Sequence, residues 1–146
     1  MPYRMSWYQE DCVAYLEVIG DFRADEMRTM NEQFHSEFLQ KGTAPIHILF
    51  NATGIKQYPR NVEILRNMSA ISLTYGETGH LILLGFNSSR IRILAGMCVR
   101  ILNVHYTFVD SHAEANATLQ QIEPRFDPTA VSEIASRLTL HSDKAM

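Results

Sequence analysis

Short apolar runs alternate along the chain with longer stretches of helical periodicity. Residues 46–50 (IHILF) and 80–86 (HLILLGF) are apolar without strict alternation, which is typical of parallel strands buried on both faces. Residues 104–109 form a third short run. Because helical patterns separate these runs, we predict an α/β fold with a mainly parallel central sheet of about five strands.

The first twenty residues predict an antiparallel hairpin ahead of this repeat. Tyr3–Gln9 and residues 12–19 are short runs joined at Glu10-Asp11, and the second run alternates from one face to the other. The expected order is β-β-α-β-α-β-α-β-α, followed by a further helix. We expect residues 1–123 to form the α/β domain and residues 124–146 to be a C-terminal helix and tail, packed on the same domain or in a dimer contact.

Helices are expected where apolar residues recur with helical spacing between capping residues. Methionine and phenylalanine share one face of the first helix, and this stripe indicates either plain core or an adaptable apolar pocket. Ser111 and Glu114 have the spacing of a capping box, and 87–89 also have cap-forming side chains. A turn is expected at 76–79. The predicted helices span 24–41, 60–74, 90–102 and 111–122, with a last one after Asp127-Pro128.

Composition narrows the class of protein. The chain has 146 residues, a net charge of −3 and a pI near 6.0, which indicates one domain and argues against a nucleic-acid binder. No signal peptide and no apolar run of about 18 residues is evident, so a membrane role is unlikely and a cytoplasmic location is expected. Cys12 and Cys98 have no CxxC partner and are interpreted as small core residues.

Four stretches, in this order, resemble the STAS domain. They are VAYLEVIGDFRADEM, IHILFNATGI, GHLILLGF and FVDSHAEANATL, within residues 3–122. The family includes the anti-sigma-factor antagonists and the cytoplasmic domains of sulfate transporters. The chain is most similar to bacterial stand-alone STAS-like proteins that are sometimes grouped with the CRAL-TRIO lipid carriers. The resemblance implies a regulatory domain that works by binding.

In the antagonists, the strand matching 46–50 is followed by a turn and an Asp-Ser-Ser/Thr-Gly motif, whose hydroxyl a partner kinase phosphorylates. The corresponding place here reads Tyr58-Pro59-Arg60-Asn61, with neither the acceptor hydroxyl nor the glycine. The resemblance therefore implies a domain that lacks the phosphorylation switch.

Ligands of open α/β sheets bind beyond the carboxyl ends of the parallel strands, where three loops are expected to meet. The loop 51–61 is either a recognition loop or a connector. The run NSSR, 87–90, opens a helix and could bind phosphate or carboxylate, or could simply cap the helix. The candidate binding residues are Thr53, Tyr58, Arg60, Asn61, Asn87, Ser88, Ser89, Arg90, Asp110 and His112.

Motifs for catalysis, cofactors and metals are missing from the sequence. It has no G-x-S-x-G elbow, P-loop or G-x-G-x-x-G, although Asp110 and His112 could be combined with Ser88 or Ser89 as a triad. The six histidines are scattered, and His47, His80 and His105 begin strands, where histidines typically satisfy backbone groups. We therefore expect no metal, no cofactor and no enzymatic activity.

The main hypothesis is a non-enzymatic STAS-like regulatory domain that binds a partner protein or a second copy of itself, as a homodimer. The first alternative is a carrier of a small anionic or apolar ligand, such as a lipid or an anionic metabolite. The second alternative is an enzyme of uncharacterised activity.

Overall fold

The computed structural model describes residues 3–21, 24–43, 45–57, 78–86, 88–102 and 105–127. Within these ranges, the side chains of some helical and strand residues are also left undescribed, among them Met27, Arg90 and Cys98. The predicted helix at 60–74 and the predicted C-terminal helix after Pro128 lie outside the described residues.

The described strands form one five-stranded mixed sheet in the order β1-β2-β3-β4-β5. β1 and β2 pair antiparallel, and every later pair is parallel. This confirms an α/β fold with a leading hairpin and a mainly parallel sheet. The strands are β1 Tyr3–Gln9, β2 Val13–Asp21, β3 Ile46–Gln57, β4 Thr78–Leu84 and β5 His105–Val109.

β3 is much longer than the apolar run that predicted it. It continues through Gln57, because the second half of β2 supplies a pairing partner: Ile19 is opposite Gly54 and Asp21 is opposite Gln57. The prediction of a loop over residues 51–61 is therefore wrong for residues 51–57, which belong to β3. The predicted turn at 76–79 is also wrong in its last two residues, which begin β4.

The described helices are α1 Ala24–Phe34, α2 Ser89–Leu102 and α3 His112–Ile122. α1 continues directly into a π-helical turn, His35–Leu39, in place of the uniform helix predicted up to residue 41. Met30, Phe34 and Phe38 are buried in the main core, so this part of the stripe is core packing. Within the described part of the chain, no helix is both long and apolar enough to cross a membrane.

Strand alternation divides the core into two layers. On one face, Leu16 and Ile48 pack with Phe34 of α1, and Ala95 of α2 packs against the same cluster. On the other face, Tyr15 and Leu49 pack with the α3 side chains Ala115 and Leu119, among others. α3 therefore covers the sheet face that carries Tyr8, Val13, Tyr15, Ile82 and Val109.

The amino-terminal end of α3 is fixed by the capping box that the sequence predicted. The Ser111 Oγ accepts a hydrogen bond from the Glu114 N–H at 3.2 Å. The Glu114 carboxylate in turn accepts from the Asp110 N–H at 3.1 Å. These two bonds satisfy backbone groups that a helix end leaves free, so α3 starts at His112, directly beyond the end of β5.

Candidate functional site

The carboxyl ends of three parallel strands are aligned in register. Asn51 of β3 lies opposite Leu84 of β4, which lies opposite Val109 of β5. β3 alone continues past this row. Gly85 follows β4 with φ +92°, and a Cβ there would lie 2.6 Å from the Thr53 backbone nitrogen. The chain after β4 can therefore approach β3 this closely only because residue 85 is glycine.

Asn51 joins β3 to β2 on the face covered by α3. Its side chain is buried, and its amide nitrogen donates to the Tyr15 hydroxyl at 2.9 Å. Its amide oxygen accepts from the Thr53 backbone N–H at 2.9 Å and from the Thr53 hydroxyl at 2.6 Å. Thr53, a predicted site residue, is exposed but its hydroxyl proton is already committed to Asn51.

The side-chain bonds continue from Asn51 through Tyr15 and Glu17 to Arg4, which lies on the edge strand β1. Because the Tyr15 hydroxyl accepts from Asn51, its own proton is free to go to Glu17 Oε2, 3.1 Å away. The other Glu17 oxygen pairs with Arg4 Nη2 at 3.2 Å, where the glutamate side chain is 13% exposed and the arginine 68%. Burial raises the pKa of Tyr15 well above its ordinary value, so the hydroxyl stays neutral.

His112 is the first residue of α3 and is only 7% exposed. Its Nδ1 is buried and makes no hydrogen bond to any described residue. Burial lowers the pKa of His112, while the negative charge of Glu17 acts in the opposite direction. The imidazole is therefore neutral at pH 7 and lies within electrostatic reach of Glu17.

The predicted residues at the start of α2 and after β5 form a separate group. Ser88 and Ser89 are exposed. Arg92 donates from Nε to the Phe86 carbonyl at 2.6 Å and from Nη2 to Asp110 Oδ1 at 3.1 Å. Its guanidinium also lies 5.0 Å from the centre of the Phe108 ring. Asp110 is thus held by an arginine and not by His112.

Of the ten predicted binding residues, the structure places Thr53 and His112 on the α3 face, and Ser88, Ser89 and Asp110 at the start of α2. Tyr58, Arg60, Asn61 and Asn87 lie outside the described residues, as does the side chain of Arg90. Sequence reasoning missed Tyr15, Glu17 and Asn51. The signal for the first two was their shared alternation in β2, which places them on one face.

α2 presents large apolar side chains to solvent. Ile93 is 65% exposed and Met97 is 44% exposed, one helical turn apart. Arg100, three residues further on, is also exposed. We call Ile93, Met97 and Arg100 the α2 stripe. It starts at the edge where Ser88, Ser89 and Asp110 are exposed.

A second polar cluster lies at the opposite end of the sheet. His47, at the start of β3, places Nε2 2.9 Å from Glu123 Oε2, and both side chains are buried. The His80 N–H donates to His47 Nδ1 at 2.9 Å. Since a backbone N–H can only donate, the histidine must carry its proton on Nε2 and donate it to Glu123. This confirms the expectation that His47 satisfies a backbone group.

Arg125 extends this cluster to the loop ahead of β3. It donates to the carboxylate of Glu123, to the Thr43 carbonyl at 2.9 Å and to the Pro45 carbonyl at 2.7 Å. Burial alone would raise the pKa of the Glu123 carboxyl, but hydrogen bonds from Arg125 and His47 outweigh it and lower the pKa. We call residues 123–127 the C-terminal arm.

The arm is also held through an aromatic contact and a glutamine. Phe126 is buried and stacks on Tyr8 with ring centres 6.3 Å apart. Gln9 donates to the Arg125 carbonyl at 2.8 Å and accepts from the Asp127 N–H at 2.7 Å. The second cluster therefore anchors the arm.

The described residues contain no group of three or more histidine, cysteine, aspartate or glutamate side chains placed to bind a metal ion.

Comparison of the chain with protein-family models, with curated proteins and with solved structures gave no match. The fold and site define an α/β domain with two polar clusters, one at each end of its sheet.

Proposed function

We propose that the protein is a non-enzymatic STAS-like regulatory domain that acts by binding a partner protein, and that its first partner is a second copy of itself. The observation that carries the proposal is the exposure of Ile93 and Met97 on consecutive turns of α2. Large apolar side chains next to one another on a surface are typical of recognition sites.

Burial of the α2 stripe favours association. Burial of an isoleucine or methionine side chain contributes roughly 1.5–3 kcal/mol, so two copies of each side chain supply a useful share of a dimer interface. The surroundings of the stripe are polar, with Ser88, Ser89 and Asp110 exposed at its amino-terminal end. An apolar centre with a polar rim is the usual anatomy of a protein interface.

Symmetry fixes which charged groups would face each other in a dimer. In a pair related by a twofold axis, the same surface faces itself. If two α2 helices cross antiparallel at Ile93 and Met97, Arg100 of one copy lies toward the amino-terminal end of the other copy's helix. Asp110 is exposed at that end. The basic end of each stripe therefore meets an edge at which Asp110 is already paired with Arg92, so the apolar contact and not charge carries the proposed dimer.

Two features support a role without catalysis and without the phosphorylation switch. Asp110 is bonded to Arg92, so the combination of Asp110, His112 and serine lacks the orienting bond that a triad needs. The sequence at 58–61 has no acceptor serine or threonine, and this stretch lies outside the described residues. A cytoplasmic location remains a prediction from the sequence.

Sedimentation velocity over a wide range of concentrations tests the proposal. The wild-type chain is expected to pass from monomer to dimer, and Ile93→Asp to remain monomeric because a carboxylate would be buried at the centre of the interface. The matched control is Ala117→Asp, which adds the same charge at an exposed site in the middle of α3. It should dimerise like the wild type. Equal behaviour of the two variants, or a wild-type monomer throughout, contradicts the proposal.

A further inference from the structure

Three polar groups that can accept hydrogen bonds lie on the sheet face covered by α3: one each in β1, in β2 and in the first turn of α3. They are the Glu17 carboxylate, His112 Nδ1 and Ser6 Oγ. Ser6 Oγ and His112 Nδ1 are both buried, and neither bonds to a described residue. We call these three groups the acceptor cluster.

The positions of these groups follow from strand register. Ser6 is opposite Tyr15, and Arg4 is opposite Glu17, in the β1–β2 pair. Tyr8 lies two residues after Ser6 on the same face of β1. Its hydroxyl donates to Asn116 Oδ1 at 2.6 Å. Asn116 is one helical turn after His112, so the first turn of α3 lies over the part of the sheet that carries Ser6 and Tyr15.

Buried polar atoms without partners are rare, and each one costs roughly 1–3 kcal/mol. Two such atoms in the layer between the sheet and α3, with the Glu17 carboxylate on the same sheet face, point to a polar group that bonds to them. A donor fits this place, because Glu17 only accepts, a serine hydroxyl can accept, and neutral His112 offers a lone pair on Nδ1 when its proton is on Nε2. Glu17 also makes the cluster negative, since burial keeps Tyr15 and His112 uncharged.

We propose that the acceptor cluster binds the primary ammonium group of a small ligand. A primary ammonium has three N–H donors and one positive charge, which match three acceptors and one carboxylate. This site is separate from the α2 stripe, so it does not depend on the proposed dimer.

Arg4 would compete with such a ligand for the Glu17 carboxylate. Its guanidinium pairs with Glu17 at 3.2 Å, but its side chain is 68% exposed. Exposed ion pairs of this kind contribute only about 0–1 kcal/mol, so a ligand can displace the arginine. Removal of Arg4 should therefore strengthen ammonium binding, whereas loss of a merely structural residue would not.

The test is titration of histidine-labelled protein with ethylammonium, followed by the ¹⁵N shift of His112 Nδ1. Tetramethylammonium, which has the charge but no N–H, is the matched probe. We expect ethylammonium to shift the Nδ1 signal and tetramethylammonium to leave it unchanged. Arg4→Ala should lower the ethylammonium Kd severalfold, and Lys41→Ala, which removes an exposed cation elsewhere, should leave it unchanged.

Glu17→Gln should weaken binding at least tenfold, because it removes the charge but keeps the shape. If that variant unfolds, the Arg4→Ala comparison still decides. The proposal is overturned if both cations bind equally, if Arg4→Ala and Lys41→Ala bind alike, or if ethylammonium never moves the Nδ1 signal. In the last case a buried water is the occupant, and a water cross-peak to His112 would identify it.

Discussion

His47 Nε2 lies 2.9 Å from Glu123 Oε2, and this bond joins residues 76 positions apart in the chain. His47 is the second residue of β3, and Glu123 directly follows α3. Because His47 Nδ1 accepts from the His80 backbone, the ring donates to the carboxylate as a neutral tautomer. A buried carboxylate that accepts such bonds is strongly tied to the folded state.

Glu123→Gln should destabilise the protein by about 1–3 kcal/mol, since Gln keeps the shape but weakens the bonds from His47 and Arg125. Urea unfolding measures the change. Glu32→Gln, at an exposed position of α1, is the control and should shift the midpoint little. Equal midpoints for the two variants would show that the arm contributes nothing to stability.

Acid should destabilise the fold in two separate pH windows. The pKa of His112 and that of His80 are lowered by burial from 6.5, so unfolding takes up protons and stability falls as the pH drops below 6.5. The lowered pKa of Glu123 adds stability that is complete above 4.5 and is lost as the pH falls through its folded value. His112→Gln should reduce the fall in stability below pH 6.5, and Glu123→Gln should reduce the fall below pH 4.5. Urea midpoints measured against pH check this; unchanged profiles in both variants contradict it.

Gly85→Ala should destabilise the protein more than Gly20→Ala. Both glycines have positive φ, +92° and +70°, so an alanine costs roughly 1–2 kcal/mol at either place. Only at Gly85 would the added Cβ also meet the Thr53 backbone, at 2.6 Å, whereas nothing lies within 4 Å at Gly20. Thermal or urea unfolding measures the difference in stability between the two variants. Equal losses would rule out the close approach of the Gly85 and Thr53 backbones.

Cys12 should react slowly with thiol reagents in the native protein. Its side chain is buried, and burial raises the pKa of its thiol, so little thiolate is present. The measurement uses Cys98→Ser protein, which leaves a single cysteine. Labelling should be fast in urea and much slower without it. Similar rates in both conditions would place Cys12 at the surface.

Local signals in the sequence predicted the elements well. Tyr3–Gln9 is confirmed as a strand with the predicted bounds, and the capping box at Ser111 starts α3 as expected. The true length of β3 was not predictable, because Asn51, Gly54 and the polar residues around them look like a turn. They are strand only because β2 extends to Asp21 alongside them.

The candidate site was only partly predictable for the same reason. Asp110 and His112 were correctly placed beyond the end of β5, yet Asp110 bonds to Arg92 whereas His112 is buried at the start of α3. Which of these two polar residues turns inward depends on the helix that follows. The sequence around His47 and the sequence around Glu123 do not predict their contact, because it depends on where α3 ends.

Methyl spectra of isoleucine- and methionine-labelled protein in a dilution series test whether the chain associates with itself through α2. We predict that the Ile93 and Met97 methyl signals move with concentration, while those of the buried Ile48 and Ile82 do not. Signals that are independent of concentration, or that move only at residues away from α2, would contradict it.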